Sequence, residues 1–272
     1  MTTHHDKCLR FRSLHAGPAA FVLGNVWDGG TARMLAGLGF QALATSSAAA
    51  AGTFGRLDGQ ITRDEALAHA RMIVAATDLP VSGDLENGFG DDPATVAETV
   101  RLAAAAGLAG ASIEDATGHP ERPLYDFNHA VERVTAAVEA ARQVGVPFTL
   151  TARSENFLRG RADLEDTLRR LQAFERAGAD VLFAPGLPDL QAVRTVCTAV
   201  NRPVNYMIGM PGKGFSVAEL QAAGVRRISL ATSLWRAAMG GVLAAAREVR
   251  EQGTFRYVDE VVGSAELARF LK

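Results

Sequence analysis

Cysteine, lysine and long apolar runs are all scarce in this sequence. Its two cysteines, Cys8 and Cys197, are far apart and have no metal-ligand spacing, so neither a disulfide framework nor a zinc site is expected. Residues 1–14 lack the continuous apolar core of a signal peptide, and no later run could cross a bilayer. The net charge of -2 provides no strong field for nucleic acid or an anionic membrane. These absences predict a cytoplasmic protein with no nucleic-acid or membrane partner.

Lysine occurs only at Lys7, Lys213 and Lys272, and this scarcity limits one class of chemistry. An aldolase that works through a Schiff base needs a lysine with a depressed pKa at a strand end. Lys213 is the only mid-chain candidate, and it lies in a Gly-rich stretch at residues 210–214. The same stretch could grip a phosphate, as loops late in barrels often do, but its spacing is not that of a P-loop.

Eight short apolar runs alternate with amphipathic, Ala-rich stretches along the chain. They have the length of buried strands and cover residues 21–26, 41–45, 80–83, 110–114, 148–151, 180–183, 203–206 and 227–230. Eight strand-helix units are the count of a (β/α)8 barrel. The sequence therefore predicts an α/β fold with a single TIM-type barrel domain over residues 1–272. The barrel itself is expected at about 20–250, with extra N-terminal and C-terminal helices at 6–15 and 255–272.

Local signals for helix ends support this alternation. Capping boxes pair Thr62 with Glu65 and Ser216 with Glu219. Helix stops are predicted at glycines, namely Gly39, Gly107, Gly145, Gly178 and Gly224.

Polar residues follow the predicted strands at the points where the strands end. The carboxyl ends of parallel barrel strands form one rim, where the loops of different strands converge. In chain order these residues are Trp27, Asp28, Thr45, Ser46, Ser47, Asp84, Glu86, Glu114, Asp115, Arg153, Glu155 and Asn205. Any one of the acids is as readily explained as a helix cap or a solvated loop residue. Their coincidence on one rim predicts a functional site instead.

Oxygen ligands without His or Cys suit Mg2+, with Mn2+ as the alternative. The candidate ligands are Asp84, Glu86 and Glu114. Arg153 supplies a planar fork of donors suited to a substrate carboxylate, although it could instead neutralise a neighbouring acid. The rim is therefore predicted to hold a small anionic substrate between a divalent cation and Arg153.

Several rim motifs resemble, in order and spacing, those of the isocitrate lyase and phosphoenolpyruvate mutase superfamily. They are Asn25-Val26-Trp27-Asp28, Thr45-Ser46-Ser47, Asp84-Leu85-Glu86-Asn87-Gly88-Phe89-Gly90, Ser112-Ile113-Glu114-Asp115 and Thr151-Ala152-Arg153. The resemblance implies a Mg2+-dependent barrel enzyme that makes or breaks a bond beside a 2-oxo acid through a pyruvate-like enolate. It implies that Asp84 binds the metal directly, whereas Glu86 and Glu114 hold it mainly through water. The implied ligand is a small 2-oxo acid or a related diacid.

The resemblance also implies substrate and catalytic roles. Ser46 and the backbone amides of Ser47 and Ala48 match the segment that cradles the substrate carboxylate or enolate oxygen. Asp58 matches an active-site acid of the mutase branch, and Arg153 matches the arginine that contacts the oxo acid. The predicted substrate-binding residues are Trp27, Thr45, Ser46, Ser47, Ala48, Arg153 and Asn205. The predicted catalytic residues are Asp58, Arg153 and His119, the last as a proton donor because imidazole titrates near neutral pH. A solvated loop histidine is an equally good interpretation of His119.

The loop after the fourth strand departs from the family pattern. Isocitrate and methylisocitrate lyases carry a Lys-Cys-Gly-His type motif there, whereas this loop, at residues 116–123, has Thr117 nearest the cysteine's place. A threonine hydroxyl is too weak an acid to replace that thiol, so neither lyase activity is expected. Glu86 also stands where the family usually has Asp. The Lys and Asn-Ser groups of the mutase and phosphonopyruvate hydrolase branch are missing as well. The remaining cysteine-free group resembles oxaloacetate decarboxylase-like and dimethylmalate lyase-like proteins.

The leading hypothesis is therefore a Mg2+-dependent lyase or decarboxylase acting on a C–C bond next to a 2-oxo acid. The alternatives are a phosphonopyruvate or phosphoenolpyruvate-type P–C bond enzyme, a non-catalytic 2-oxo acid binding protein, and the Schiff-base aldolase. The resemblance further implies a homo-oligomer, a dimer or a tetramer, that exchanges a C-terminal helix at residues 257–271. A helix that packs on its own barrel is the alternative for this segment.

Overall fold

Eight parallel strands close into one barrel in the computed structural model, which describes residues 2–271. The strands are β1 Phe21–Asn25, β2 Leu43–Ala44, β3 Val81–Asp84, β4 Gly110–Glu114, β5 Thr149–Arg153, β6 Val181–Phe183, β7 Val204–Met207 and β8 Arg227–Ser229. Each strand pairs with its sequence neighbour, and β1 pairs with β8 to close the ring. The predicted (β/α)8 barrel is confirmed.

Helices follow or flank the strands in the predicted alternation. They are α1 His4–Ala16, α2 Gly29–Gly37, α3 Ser47–Thr53, α4 Arg63–Ala75, α5 Pro93–Ala105, α6 Phe127–Gln143, α7 Leu164–Arg176, α8 Leu190–Ala199, α9 Val217–Ala222, α10 Ser233–Gln252 and α11 Ser264–Phe270. Both predicted capping boxes form, with Thr62 accepting from the Glu65 amide and Ser216 from the Glu219 amide. No helix within residues 2–271 is long and apolar enough to cross a membrane.

The C-terminal segment differs from the single helix predicted for residues 255–272. It forms a short 3-10 turn, Arg256–Asp259, and then the seven-residue helix α11. Gly263 separates the two pieces, in an extended conformation at the N-cap of α11. The last residue of the predicted helix, Lys272, lies outside the described residues. In this chain α11 lies against α2, where the Phe270 ring covers Gly37.

Bulky apolar side chains fill the layer between the strands and the helices. Leu108, Ile113, Leu150, Leu171 and Phe174 are among the fully buried residues of this layer. The inner wall of the barrel is different, because many of its buried side chains are polar. They include Asn25, Ser82, Thr151, Asn205 and Arg227. The barrel therefore provides an apolar outer core and a polar interior that opens towards the rim.

Candidate active site

Three side chains predicted for the site meet where β3, β4 and β5 end. Asp84, Glu114 and Arg153 are the last residues of these strands, and the register pairs Glu114 with Arg153. The Arg153 Nη1 atom lies 3.4 Å from Glu114 Oε2 and 3.9 Å from Asp84 Oδ1. The parallel register thus brings two carboxylates from separate strands to one guanidinium.

Asp84 is held by the neighbouring strand-to-helix connection. The Ser47 amide donates to Asp84 Oδ2 at 3.1 Å, and the Asp84 amide donates to Thr45 Oγ1 at 2.9 Å. Asp84 Oδ1 is buried and has no hydrogen-bond partner among the described residues. Because a buried carboxylate oxygen normally has a partner, this oxygen points to a missing ligand.

Glu86 lies two residues after Asp84, in the glycine-containing loop that follows β3. Its backbone φ is 50°, a left-handed conformation that non-glycine residues rarely adopt outside functional or strained sites. Burial raises the pKa of Glu86 to about 7, and repulsion from Asp84 and Asp58 adds to this effect. Glu86 Oε1 is a second buried carboxylate oxygen without a hydrogen-bond partner in the described part of the chain.

The loop that carries Glu86 is clamped from outside the barrel. The buried guanidinium of Arg133, on α6, donates to the carbonyl oxygens of Asn87, Gly90 and Asp91. Arg133 also lies over the Tyr125 ring, 4.0 Å from its centroid. These contacts fix the loop backbone and therefore the direction in which Glu86 enters the site.

Glu114 and Arg153 belong to a larger charged cluster. Burial raises the pKa of Glu114 to about 8, although Arg153 acts in the opposite direction. Burial alone would lower the pKa of Arg153, but Glu114, Glu155 and Asp84 raise it above its usual range. Arg153 Nε donates to the fully buried Glu155 at 2.5 Å, and Arg159 Nη2 donates to Glu114 at 3.1 Å. Arg153 therefore carries its charge at neutral pH, and both guanidinium groups face the acids.

The predicted cradle and the predicted mutase-type acid lie beside this cluster. Ser46 is the N-cap of α3, and Ser46, Ser47 and Ala48 all line the cavity inside the barrel. Asp58 extends from the loop after α3 and reaches the same space. Burial raises the pKa of Asp58, the charge of Asp84 adds to the rise, and a Ser47 hydrogen bond opposes it.

Two connected cavities meet at these residues. The inner one, of about 310 Å³, runs into the barrel, and the outer one, of about 1180 Å³, lies among the loops above the rim. Ser47, Asp58 and Arg153 line both cavities. Glu86 and Glu114 line the outer cavity, whereas Asp84 lines the inner one. The predicted ligands therefore surround the passage between the two spaces.

The other predicted residues are more scattered. His119 lines the outer cavity, and its amide donates to Thr117 Oγ1 at 2.9 Å. Thr117 in turn donates to the Arg122 carbonyl oxygen, so its hydroxyl fastens the loop. Trp27 lines neither cavity. Asn205 and Thr45 line the inner one, and Asn205 donates to Ser229 Oγ at 3.0 Å.

Two arginines of the site are absent from the sequence-based set. Arg159 contacts Glu114 and Glu155 from the loop after β5, and its i,i+4 spacing from Glu155 is the one signal that could have indicated it. Arg227 begins β8 and lines the inner cavity. The feature that could have indicated Arg227 is a charged residue at the start of an otherwise apolar strand, next to a second arginine.

The oxygen atoms of the rim acids are suitable ligands for a divalent cation. No group of three or more His, Cys, Asp or Glu side chains within residues 2–271 is arranged to hold a metal ion by itself. Mg2+ is usually bound through one or two carboxylates, with water completing the shell. Asp84 Oδ1 and Glu86 Oε1 fit that pattern, because both are buried and neither has a hydrogen-bond partner among residues 2–271.

Comparison with known proteins places this geometry in a family. The family described as phosphoenolpyruvate phosphomutase matches residues 11–250, which is nearly the whole barrel. The chain belongs to the PEP mutase/isocitrate lyase superfamily. A crystal structure from Burkholderia cenocepacia J2315, described as a "putative lyase/mutase", is 52% identical with a TM-score of 0.96, and the match covers 98% of this chain and 96% of that chain.

Two further superfamily members have named activities. 2-Methylisocitrate lyase of Escherichia coli K12 is 31% identical over 230 residues, which is 81% of this chain and 76% of the lyase. The crystal structure of 2,3-dimethylmalate lyase is 27% identical with a TM-score of 0.88, and the match covers 98% of this chain and 95% of that chain. This superfamily member is thus similar to lyases along nearly its full length.

Proposed function

We propose that this superfamily member is a Mg2+-dependent lyase or decarboxylase that makes or breaks a C–C bond next to a 2-oxo acid. The observation that carries the proposal is the buried Asp84 Oδ1, which accepts no hydrogen bond from the described residues and lies 3.9 Å from Arg153 Nη1 where the two cavities meet. Asp84 would hold the cation directly, and Glu86 and Glu114 would hold it mainly through water. The cation would supply positive charge to stabilise an enolate.

The protein's own groups would orient the ligand at this junction. The Arg153 guanidinium is fixed by Glu155, and it presents its remaining donors towards Asp84 and Glu114. A 2-oxo acid carboxylate bound there would meet a preorganised cation rather than one that must be ordered on binding. The Ser47 amide is already used by Asp84, so it fixes the acid. The side chains of Ser46 and Ser47 would then border the bound carboxylate.

The proton chemistry is assigned to groups of the outer cavity. His119 lies in that cavity on a loop, whereas the Thr117 hydroxyl donates to the Arg122 carbonyl at 2.5 Å. A hydroxyl engaged in this way has no free proton for a leaving enolate. We therefore assign the proton-donor role to His119, and no isocitrate or methylisocitrate lyase activity is expected. Turnover of either substrate would contradict this assignment.

The test is calorimetric titration of oxalate, a planar enolate mimic, with and without Mg2+. Asp84→Ala should abolish the Mg2+-dependent binding, because it removes the carboxylate that faces the cation. Asp78→Asn is the matched control, since Asp78 is an exposed acid that precedes the same strand at its opposite end. Oxalate binding that is independent of both Mg2+ and Asp84 would refute the proposed site.

A P–C bond enzyme is the second candidate, and the position of Asp58 favours it. Asp58 lines both cavities beside Arg153, as an acid that contacts a transferred group would. Assays with phosphonopyruvate and with 2-oxo diacids separate the two candidates. Release of phosphate or formation of phosphoenolpyruvate would favour P–C chemistry. Tight oxalate binding without turnover of either class would instead indicate a binding protein.

We also propose that the chain forms a homo-oligomer. None of the residues of α10 is buried in the single chain, and Val242, Leu243 and Val249 are exposed along it. Contiguous apolar surface of this kind is usually covered by a partner. Light scattering on the purified protein gives the test, since a monomer at micromolar concentration would contradict the proposal.

A further inference from the structure

Arg227 is a buried cation deep inside the barrel, away from the acids of the rim. It begins β8, lines the inner cavity and is 3% exposed. Its Nε atom donates to Asn205 Oδ1 at 2.8 Å, and its Nη1 atom donates to Thr151 Oγ1 at 3.0 Å. Both acceptors are neutral. No carboxylate within residues 2–271 forms an ion pair with this guanidinium.

A buried charge is normally balanced by an opposite charge, and this one is not. Burial lowers the pKa of Arg227 to about 9, which still leaves it charged at neutral pH. Its Nη2 atom has no hydrogen-bond partner in the described part of the chain. Guanidinium donors of this kind suit a carboxylate, which accepts two parallel N–H bonds. The protein itself supplies no such group at this depth.

The space beside Arg227 exists because the neighbouring inner-wall side chains are small. Barrel interiors are usually filled by layers of bulky branched residues. Here the cavity lining includes Ala44, Ser82, Ser112 and Ser229. The resulting volume of about 310 Å³ is within the range of small-molecule sites, which starts at roughly 300 Å³.

The position of Arg227 relative to Arg153 sets the length of a ligand that could reach both. Thr151, which accepts from Arg227, precedes Arg153 by two residues on β5, so their side chains face the same side of the strand. Two residues of a strand rise by about 6.6 Å. The two guanidinium groups thus border one cavity at different depths along its axis.

We propose that Arg227 forms a second anion subsite, which binds the terminal carboxylate of a 2-oxo dicarboxylic acid of four or five carbons. The inference rests on the proposed function, because that function places the 2-oxo end at Arg153. The acid end enters the inner cavity and accepts hydrogen bonds from Nη1 and Nη2 of Arg227. A monocarboxylic acid of equal length brings a methyl group to the same cation and leaves it unbalanced.

The experiment compares 2-oxoglutarate with 2-oxopentanoate, which has the same number of carbons and no terminal carboxylate. Calorimetry in the presence of Mg2+ should give the unaltered chain a preference of about tenfold or more for the diacid, the size expected for a charge-assisted hydrogen-bonded pair. Arg227→Gln should reduce that preference to about threefold or less, since an amide cannot replace the charge. Arg226→Gln is the matched control, because the neighbouring Arg226 bonds to the Pro18 carbonyl and does not line the cavity.

A second variant covers the case in which Arg227→Gln does not fold, as judged by circular dichroism and thermal unfolding. Ser82→Leu keeps Arg227 and fills the cavity near it, and it should also remove the preference for the diacid. The subsite is overturned if the unaltered chain shows no preference. It is equally overturned if a folded Arg227→Gln or Ser82→Leu variant keeps the full preference.

Oxalate separates this inference from the proposed function, because it is too short to span the two arginines. If the unaltered chain fails to bind oxalate with Mg2+, the rim site itself is refuted. If oxalate binds but the diacid has no advantage over the monoacid, only the Arg227 subsite is refuted.

Discussion

Arg170 is a buried cation beneath the site, and its removal should strongly destabilise the protein. Its side chain is 3% exposed and joins two carboxylates. The Nη1 atom lies 3.1 Å from Asp115 Oδ2, and the Nε atom lies 2.9 Å from Asp166 Oδ2. Nη1 also donates to the Tyr125 carbonyl oxygen at 3.0 Å. Arg170→Met would remove this donor from all three acceptors and leave Asp115 without an ion pair among the described residues.

The expected magnitude follows from the burial of the partners. Removing one member of a buried ion pair costs about 3–5 kcal/mol, because an uncompensated charge stays behind. Asp115 and Asp166 are 2% and 5% exposed, so neither acid can recover solvation from water. A loss in this range is a large fraction of the roughly 5–15 kcal/mol that stabilises a typical protein.

Arg169→Met is the matched control, because Arg169 contacts the same acid from the surface. Its Nη2 atom lies 2.7 Å from Asp166 Oδ1, but its side chain is 59% exposed. Exposed ion pairs contribute about 1 kcal/mol or less, so this variant should remain close to the unaltered protein.

Urea unfolding of the two variants at pH 7 provides the measurement. The free energy of unfolding should fall by about 3–5 kcal/mol for Arg170→Met and by about 1 kcal/mol or less for Arg169→Met. Equal losses would contradict this prediction, because the two arginines contact the same acid and differ in burial. Arg170→Met should also weaken oxalate binding, since Asp115 accepts a hydrogen bond from the Glu155 amide at 2.8 Å.

Three further predictions follow from individual contacts. Burial lowers the pKa of the His15 imidazole to about 3. Below about pH 6.5 only the unfolded chain therefore binds this proton, so the free energy of unfolding should fall by about 2 kcal/mol from pH 7 to pH 5. In urea unfolding at these two pH values, His15→Phe should lack this part of the pH dependence. A variant that keeps the pH dependence of the unaltered protein would contradict the prediction. Glu155→Gln removes the carboxylate that pairs with Arg153. Calorimetry should show Mg2+-dependent oxalate binding about tenfold weaker in this variant. Undiminished affinity would show that Glu155 is not needed to position Arg153. Gly37→Val should displace α11, because a Cβ at that position would lie 2.6 Å from the Phe270 ring. Proteolysis of α11 should therefore be faster in the variant, and equal cleavage rates would contradict the observed packing.

The barrel was predictable because its signals are local and repeated. Each helix-to-strand connection that was marked by glycine does contain a residue with positive φ, from 76° at Gly145 to 101° at Gly178 and Gly224. Strand limits were predicted less well, since inter-strand pairing decides them. For example, β2 pairs over only Leu43–Ala44, whereas the predicted strand extends over residues 41–45. The C-terminal helix was predicted but its start was not, because the tail first forms the 3-10 turn Arg256–Asp259 and α11 begins only after Gly263.

The site was predictable where the register alone fixes it. Asp84, Glu114 and Arg153 end adjacent parallel strands, so their convergence follows from the fold. Loop residues carry no such constraint, which is why the sequence could not place His119 or identify Arg159. Arg227 was overlooked for another reason, because it lies at the start of its strand, where side chains usually stabilise the barrel rather than line a site.

The distribution of charge along the barrel axis connects the two proposals. At the rim, four buried or half-buried carboxylates surround the two guanidinium groups of Arg153 and Arg159, so this end can accept added positive charge. The four acids are Asp84, Glu86, Glu114 and Glu155. Further inside, Arg227 carries a positive charge with only neutral partners, so that end requires added negative charge. A cation alone would balance the charge of the rim but would leave the interior without an anion. A monocarboxylic acid would also leave the interior charge unbalanced. A divalent cation together with a 2-oxo diacid satisfies both ends, which is why we expect the two ligands to strengthen each other's binding.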